Sequence, residues 1–293
     1  MHPRQHHSSC LAIPIIVLAR NEARVIARCL ESLPLSDPQF DIHVVVNGSQ
    51  DATVANGQRV AARHHNITVH DWVVGGKARS WNRIVFEMLS PEVPLAIFVD
   101  GDCQVAAGSI SALINTLDHH PDALIAAAMP LNGRHAEKYR LQMWETHGLW
   151  GDLYALRGCF LKSMRAANLR LPEDLVGEDG LIAALAKTDL GWLADWRDAR
   201  VQPTMDAGFY CTPFNPGDVR CWWTQLRRMI AYAERHFQNQ IITHILQNEG
   251  ALGLPERLDF VYPRFLPEFK PRRGVWWPFD RYALAKMARA SIA

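Results

Sequence analysis

Two carboxylates separated by one glycine, Asp100-Gly101-Asp102, end the apolar run Leu95-Ala96-Ile97-Phe98-Val99. Acids this close resist being buried together unless a cation shares the site. Oxygen-only ligation suits Mg2+ or Mn2+, with substrate phosphates completing the shell. On its own the tripeptide equally describes a solvated turn, since Asp and Gly are ordinary turn residues. A second acidic pair, Glu178-Asp179, follows Gly177 and precedes a helical pattern of Leu181, Ile182 and Leu185. Acids in a first helical turn suit the positive end of the dipole.

The elements that position these acids follow from apolar patterning. Strands are expected at Ile13 to Leu18, Ile42 to Val46, Asn66 to Val74 and Leu95 to Asp100, each a short run rich in branched residues. Between them, helices present Val25, Ile26, Cys29, Leu30 and Leu33, then the stretch 52–64, then Trp81, Ile84, Val85, Met88 and Leu89. A further helix carries Ile110, Leu113, Ile114 and Leu117. Alternating strands and helices imply right-handed crossovers and a doubly wound parallel sheet. The carboxyl ends of its strands converge on one edge, gathering Glu22, Asn47, Asp51, Lys77, Asp100 and Asp102 at one crevice. If strand conformation continues through Asp102, the two acids of the tripeptide face the same side.

Ala123 to Ala128 is another strand, after which the alternation stops and 132–156 has no clear pattern. Gly158 to Leu161 restarts an apolar element. Asp198 to Pro203 reads as a short strand running into a loop, Thr204 to Pro216, able to close over a site. Val219 to His236 reads as a helix with Trp222, Leu226, Met229, Ile230 and Ala233 on its apolar side, and with Gln225 and Arg228 sharing a face. The tail from Phe265 is rich in Pro, Arg and Trp and ends in a basic helix through Lys286 and Arg289. Such a tail fits an interfacial membrane anchor or a strap on the domain.

Composition narrows the classes. The 293 residues are 48% hydrophobic, enough for one large α/β domain or two small ones. A net charge of +1 gives no field for nucleic acid. The six cysteines are scattered without a CxxC pair, so reduced thiols in a cytoplasmic protein are expected. The start of the chain lacks a secretory-signal pattern, and no apolar stretch reaches membrane-spanning length. No GxGxxG follows an expected strand, Gly75-Gly76-Lys77-Ala78 fails the phosphate-loop pattern, and no zinc signature is present.

The order of these motifs resembles that of the family 2 glycosyltransferases, inverting enzymes of the GT-A fold that use a nucleotide diphosphate sugar. The resemblance runs from about Ile13 to His236. Ile15-Ile16-Val17-Leu18-Ala19-Arg20-Asn21-Glu22 is similar to the family's opening strand and donor loop. Val46-Asn47-Gly48-Ser49-Gln50-Asp51 is similar to its nucleoside loop, with Asn47 where an acid is common. Gly76-Lys77-Ala78-Arg79-Ser80-Trp81-Asn82 resembles the diphosphate segment, and Asp100-Gly101-Asp102 the metal-binding DXD motif. Gly158-Cys159-Phe160 resembles the acceptor-side glycine stretch. Glu178-Asp179 resembles the pair that holds the catalytic base, and Gln225-Leu226-Arg227-Arg228-Met229 the later Gln-x-x-Arg-Trp motif.

The resemblance implies an α/β, Rossmann-like, mostly parallel sheet flanked by helices, with a C-terminal helical extension. It divides the chain into a donor-binding half (11–130), an acceptor-binding and catalytic half (131–240) and the extension (241–293). It implies Mn2+ or Mg2+ held chiefly by Asp102 with Asp100. Donor contacts would come from Ala19, Arg20, Glu22, Asn47, Asp51, Lys77, Asp100, Gly101 and Arg228, with Arg227 a further phosphate candidate. Asp179 would be the general base with Glu178 beside it, and Gly158, Trp144 and Gln225 would meet the acceptor. The carrier expected from the family is UDP, and the acceptor a lipid-linked or small-molecule glycan. Met229 in place of Trp, and no string of membrane helices, favour transfer of a single sugar. The expected location is cytoplasmic, with peripheral contact at the inner membrane face if the tail is an anchor. The rival readings are a non-catalytic sugar-nucleotide-binding relative and a sugar-phosphate nucleotidyltransferase. The latter usually carries a Gly-rich loop after the first strand, and Ala19-Arg20-Asn21-Glu22 lacks one.

Overall fold

A computed structural model describes residues 11–212 and 217–291 of the protein. Its strands are β1 (Ile13–Ala19), β2 (Phe40–Asn47), β3 (Ile67–Trp72), β4 (Leu95–Asp100), β5 (Cys103–Val105), β6 (Ile125–Pro130), β7 (Leu153–Arg157) and β8 (Val201–Cys211). They form one sheet in the order β3-β2-β1-β4-β7-β6-β8-β5. Every residue of β1 is buried, as a run of branched side chains covered on both faces requires. Alternate residues serve two cores. Ile16 and Leu18 pack with Trp81, Phe98 and Ile182, while Ile15 and Val17 pack with Ile26, Ile97 and Leu113.

The helices are α1 (Ile26–Glu31), α2 (Thr53–Ala61), α3 (Lys77–Arg83), α4 (Ser109–His119), α5 (Ala136–Thr146), α6 (Gly158–Ala166), α7 (Glu178–Lys187), α8 (Val219–Asn248), α9 (Tyr262–Phe265) and α10 (Trp277–Ala290). Through β4 the alternation and the parallel pairing are those the sequence pattern predicts. The fold is the expected mixed α/β, mostly parallel sheet flanked by helices, followed by a helical region.

Three regions depart from expectation. The unassigned stretch 132–156 contains α5 and then enters β7, which runs antiparallel to both β4 and β6. Because β7 is reversed, it begins at the edge where β4 ends, with Val99 opposite Leu153. The expected loop from Thr204 is largely strand: β8 continues to Cys211, paired with β6 and with Cys103 to Val105 of β5. Partners on both sides outweigh its turn-like composition. The rest of that expected loop, 213–216, lies outside the described residues.

α8 also differs from the expected helix. It runs on to Asn248 and enters the core only from Ala233, with Phe237, Ile241 and Ile245 buried. Trp222 and Leu226, expected inward, are 56% and 41% exposed. The C-terminal segment packs as a strap. α10 lies along α8 with Ala283 and Met287 buried, and Lys286 Nζ meets Glu234 Oε2 at 2.6 Å. The Arg272 guanidinium makes two contacts, at 2.7 and 2.9 Å, with the fully buried carboxylate of Asp280, and its backbone N–H donates a third at 2.7 Å. No described helix is long and apolar enough to cross a membrane.

Candidate active site

Asp100 is the last residue of β4, so the acids of the tripeptide do not share a strand pleat. A turn at Gly101-Asp102 brings them together instead. The Gly101 N–H donates to the Leu18 carbonyl at 2.8 Å. A Cβ on Gly101 would stand 2.7 Å from the Ala19 Cβ, so the turn can lie on β1 only without a side chain there. A third acid joins them. Oxygens of Asp100, Asp102 and Asp152 all lie within 4.8 Å of one another. Asp152 precedes β7, and its carbonyl accepts the Asp100 N–H at 2.8 Å. Burial first, then the charge of Asp102, pushes the Asp152 carboxyl up to about 6, against the pull of Lys77. Its Oδ1 accepts a hydrogen bond from the Cys211 thiol at 3.3 Å. Asp152 was missed in the sequence because only a reversed strand carries its leading residue to this edge.

Lys77 opens α3 behind Gly76, whose φ of +133° suits glycine. Its Nζ lies 2.6 Å from Asp100 Oδ1 and 2.8 Å from Glu178 Oε1. Burial opposes the ammonium charge, but Asp100 and Glu178 hold its pKa well above the usual lysine range. Four carboxylates (Asp100, Asp102, Asp152 and Glu178) thus surround one close ammonium, with Arg228 further off at 3.7 Å from Asp102. Burial pushes the Asp100 carboxyl up; Lys77 opposes this, while Asp152, Asp102 and Glu178 add to it. An all-oxygen donor set with negative charge in excess fits a hard divalent cation.

The acidic pair opens α7. Gly177 precedes it with φ +81°, and Leu181, Ile182 and Leu185 fix the helix in the core. Glu178 points inward to Lys77 and is almost fully buried. Asp179 Oδ1 accepts from Arg235 Nη2 at 2.7 Å. A Cβ on Gly151 would lie 3.2 Å from the Asp179 Cβ, so the carboxylate sits between that glycine and the arginine.

The donor loops frame a cleft beside the acids. Ala19, Arg20, Glu22, Asn47, Lys77, Asp100, Gly101 and Asp102 line a pocket of about 230 Å3. Glu22, Asp51, Asp102, Gln225 and Arg228 line an adjoining one of about 530 Å3. Burial raises the Glu22 carboxyl to about 7, helped by Asp102 and Asp51 and opposed by Arg228. Asn47 is buried and acts as a strut, donating to the Ala19 carbonyl at 3.2 Å and accepting from the Gly76 N–H at 3.3 Å. Asp51 staples two loops, accepting from the N–H groups of Thr53 at 3.0 Å and Ala23 at 3.1 Å. Although burial pushes its carboxyl up, those bonds and the Thr53 hydroxyl hold it below the usual range.

Some expected residues lie elsewhere. Gly158 sits at the opposite end of β4, its N–H on the Pro94 carbonyl at 2.8 Å. Five strand steps, about 17 Å, separate that end from Asp100. A Cβ there would fall 1.8 Å from the Val93 oxygen, so this glycine is required for packing and is not brought to the cleft. Trp144 is 54% exposed on α5 and lines neither pocket; Arg227 lines neither as well.

A mostly parallel sheet flanked by helices, followed by a C-terminal helical region, is the GT-A fold. The profile of Glycosyl transferase family 2 matches residues 15–169, more than half of the chain, and the chain belongs to that family; it is a glycosyltransferase. No curated protein sequence matches it. Among solved structures, a mannosyltransferase from Pyrobaculum calidifontis in complex with GDP-Man and Mn2+ is 18% identical, with TM-score 0.60 over 95% of this chain and 75% of that one. S. aureus TarS with UDP-GlcNAc is 16% identical, with TM-score 0.55 over 96% and 82%. Glucosyl-3-phosphoglycerate synthase from Mycobacterium tuberculosis, with Mn2+, UDP and glucosyl-3-phosphoglycerate, is 16% identical, with TM-score 0.54 over 83% and 81%. At these identities the likeness is one of fold.

Proposed function

We propose that this glycosyltransferase is metal-dependent and inverting, and moves one sugar from a UDP-sugar to an acceptor hydroxyl. Lys77 carries the reading. One ammonium touches Asp100 at the tip of β4 and Glu178 at the start of α7, although β5 through α6 lie between them in the sequence. The donor-side acids and the acidic pair therefore belong to one site.

Held by Asp102 with Asp100 and Asp152, Mn2+ or Mg2+ would supply positive charge against the departing diphosphate. Lys77 fixes Asp100 and Glu178, and Arg228 offers a second cation on the donor side of the cleft. Asp179 takes the proton of the acceptor hydroxyl as that oxygen attacks the anomeric carbon. The bond to the diphosphate breaks on the opposite face, so an α-linked donor gives a β-linked product. Asp179 Oδ1 is engaged by Arg235, which leaves Oδ2 for the proton. One displacement needs no covalent nucleophile.

Uridine nucleotides in two of the three structural relatives support UDP as carrier. Arg20 and Gln225 are among the polar groups that line the pockets and can meet the nucleotide, while Asn47 and Asp51 bond to the loops. Exposed Tyr139, Leu141 and Trp144 on α5, with Trp223 and Leu226 on α8, favour a lipid-linked glycan as acceptor over a small-molecule glycan. Within the one sheet, 11–130 would serve the donor and 131–240 the acceptor and the base, with 241–293 as the strap. The described cysteines are all free, which suits the cytoplasm, and exposed Trp277 and Tyr282 support peripheral contact at the inner membrane face.

A thermal-shift screen of UDP-, GDP- and TDP-sugars with and without Mn2+ tests the reading. A matched donor at a hundredfold excess over Kd stabilises by about 2.7 kcal/mol. The expected result is stabilisation by a UDP-sugar that needs Mn2+, followed by a product of inverted configuration by NMR. No shift with any nucleotide sugar, or a product of retained configuration, would overturn it.

A further inference from the structure

Arg235 lies outside every motif of the sequence, yet it makes the closest charged contact of Asp179, Nη2 to Oδ1 at 2.7 Å. The surroundings are shaped to admit it. A Cβ on Gly177 would stand 2.5 Å from Arg235 Nε and 2.6 Å from Cζ, and one on Gly180 would be 3.3 Å from Nη2. The glycines on either side of the acidic pair thus make room for one guanidinium. On the far side of the carboxylate, Gly151 closes against the Asp179 Cβ. The arginine is itself fixed, because neighbouring Ala233 and Phe237 are the residues by which α8 enters the core.

α8 also reaches the other end of the site. Arg228, two turns earlier on the same face and about 10.5 Å along the axis, approaches Asp102. One rigid helix therefore touches an acid of the donor side and the acid of the base.

We propose that Arg235 is the positioning residue of the catalytic base, clamping the Asp179 carboxylate in one orientation and supplying its counter-charge. The inference rests on the reading of Asp179 as the base. The charged groups facing Asp179 are Arg235 from α8, Glu178 beside it and Lys77 from α3. Burial raises the Asp179 pKa; Arg235 opposes this most strongly, Glu178 adds to the rise and Lys77 opposes it. Lys77 is committed to Asp100 and Glu178, so Arg235 is the counter-charge in direct contact.

Carboxyl-13C aspartate labelling of the full chain tests the clamp without a known substrate. The resonance missing from Asp179→Asn identifies the group, and its titration is then compared in wild type, Arg235→Gln and Arg235→Lys. Loss of the cation should raise the Asp179 pKa by about one unit or more, a tenfold fall in its ionised fraction at a pH below both midpoints. Arg235→Lys keeps the charge but not the fork, so it should recover part of the shift; it also carries the test if the glutamine variant melts early. Titration at one pH in all three proteins would overturn the clamp. Turnover in Asp179→Asn is the separate check on the base. Full turnover there would remove the base reading whatever the titration shows, whereas lost turnover with unmoved titration would remove only the role of Arg235.

Discussion

The two ends of the active site solve the same electrostatic problem differently. At the tip of β4 three acids crowd together with incomplete compensation, and burial plus mutual repulsion lifts Asp152 to about 6 and neighbouring Glu22 to about 7. At the start of α7 each acid has a cation in contact: Glu178 shares Lys77 with Asp100, and Asp179 faces Arg235. Asp179 is countered by an arginine of the protein itself, whereas the β4 end keeps a surplus of negative charge that a divalent ion would offset. A site that must bind and release a charged substrate gains from leaving its own side unbalanced. A proton acceptor gains from the reverse, because it must be ionised again before every cycle.

Removing the base should have the largest effect. Asp179→Asn is expected to lower turnover about 10²–10⁴-fold while nucleotide still stabilises the fold; near-normal turnover of the purified variant would end the contrast. Breaking the link between the ends comes next. Lys77→Met leaves Asp100 and Glu178 facing each other, and removing one partner of a buried ion pair costs about 3–5 kcal/mol. Exposure of about a third of the lysine side chain places the expected loss toward the lower bound, read as a reduced denaturation midpoint. A midpoint equal to wild type would show that the link is not structural.

The smallest effect is a pH slope. Glu22 and Asp152 bind protons in the folded state at pH values where the unfolded chain has released them. The stability they contribute is therefore present below pH 4, and declines as pH rises through about 6 and about 7. Melting temperature against pH should fall across that window without metal, and Mn2+ should flatten the decline. A flat profile without metal would mean that the β4 end is compensated as well.

Much of this contrast was legible in the sequence, but unevenly. The Asp100 and Asp102 pair, the Lys77 loop and the Glu178-Asp179 pair announce themselves because each ends or begins a regular apolar pattern. Local periodicity fixes such elements, and parallel crossovers then fix which strand ends meet. Asp152 and Arg235 carry no comparable signal. Asp152 reaches the site only because β7 runs backwards, and strand direction is decided by partners far away in the chain. Arg235 follows Asp179 by a stretch that includes all of β8 and half of α8, and no spacing rule spans that distance. The same limit explains Thr204 to Cys211, where composition suggests a loop and two paired strands impose extended backbone. It also explains α8, whose helical period is correct while Trp222 and Leu226 in its first turns stay about half exposed.

The reversal of β7 gives the enzyme a modular entrance. Chain arriving from α5 reaches the acids from the direction opposite to the parallel strands, and Tyr139 of α5 packs on Trp150 beside Gly151 and Asp152, so insertions or deletions in 131–149 are expected to act on the approach to Asp152. A lineage changing its choice of recipient would find that segment the cheapest place to experiment, and exchanging it between homologues is the natural route to altered selectivity.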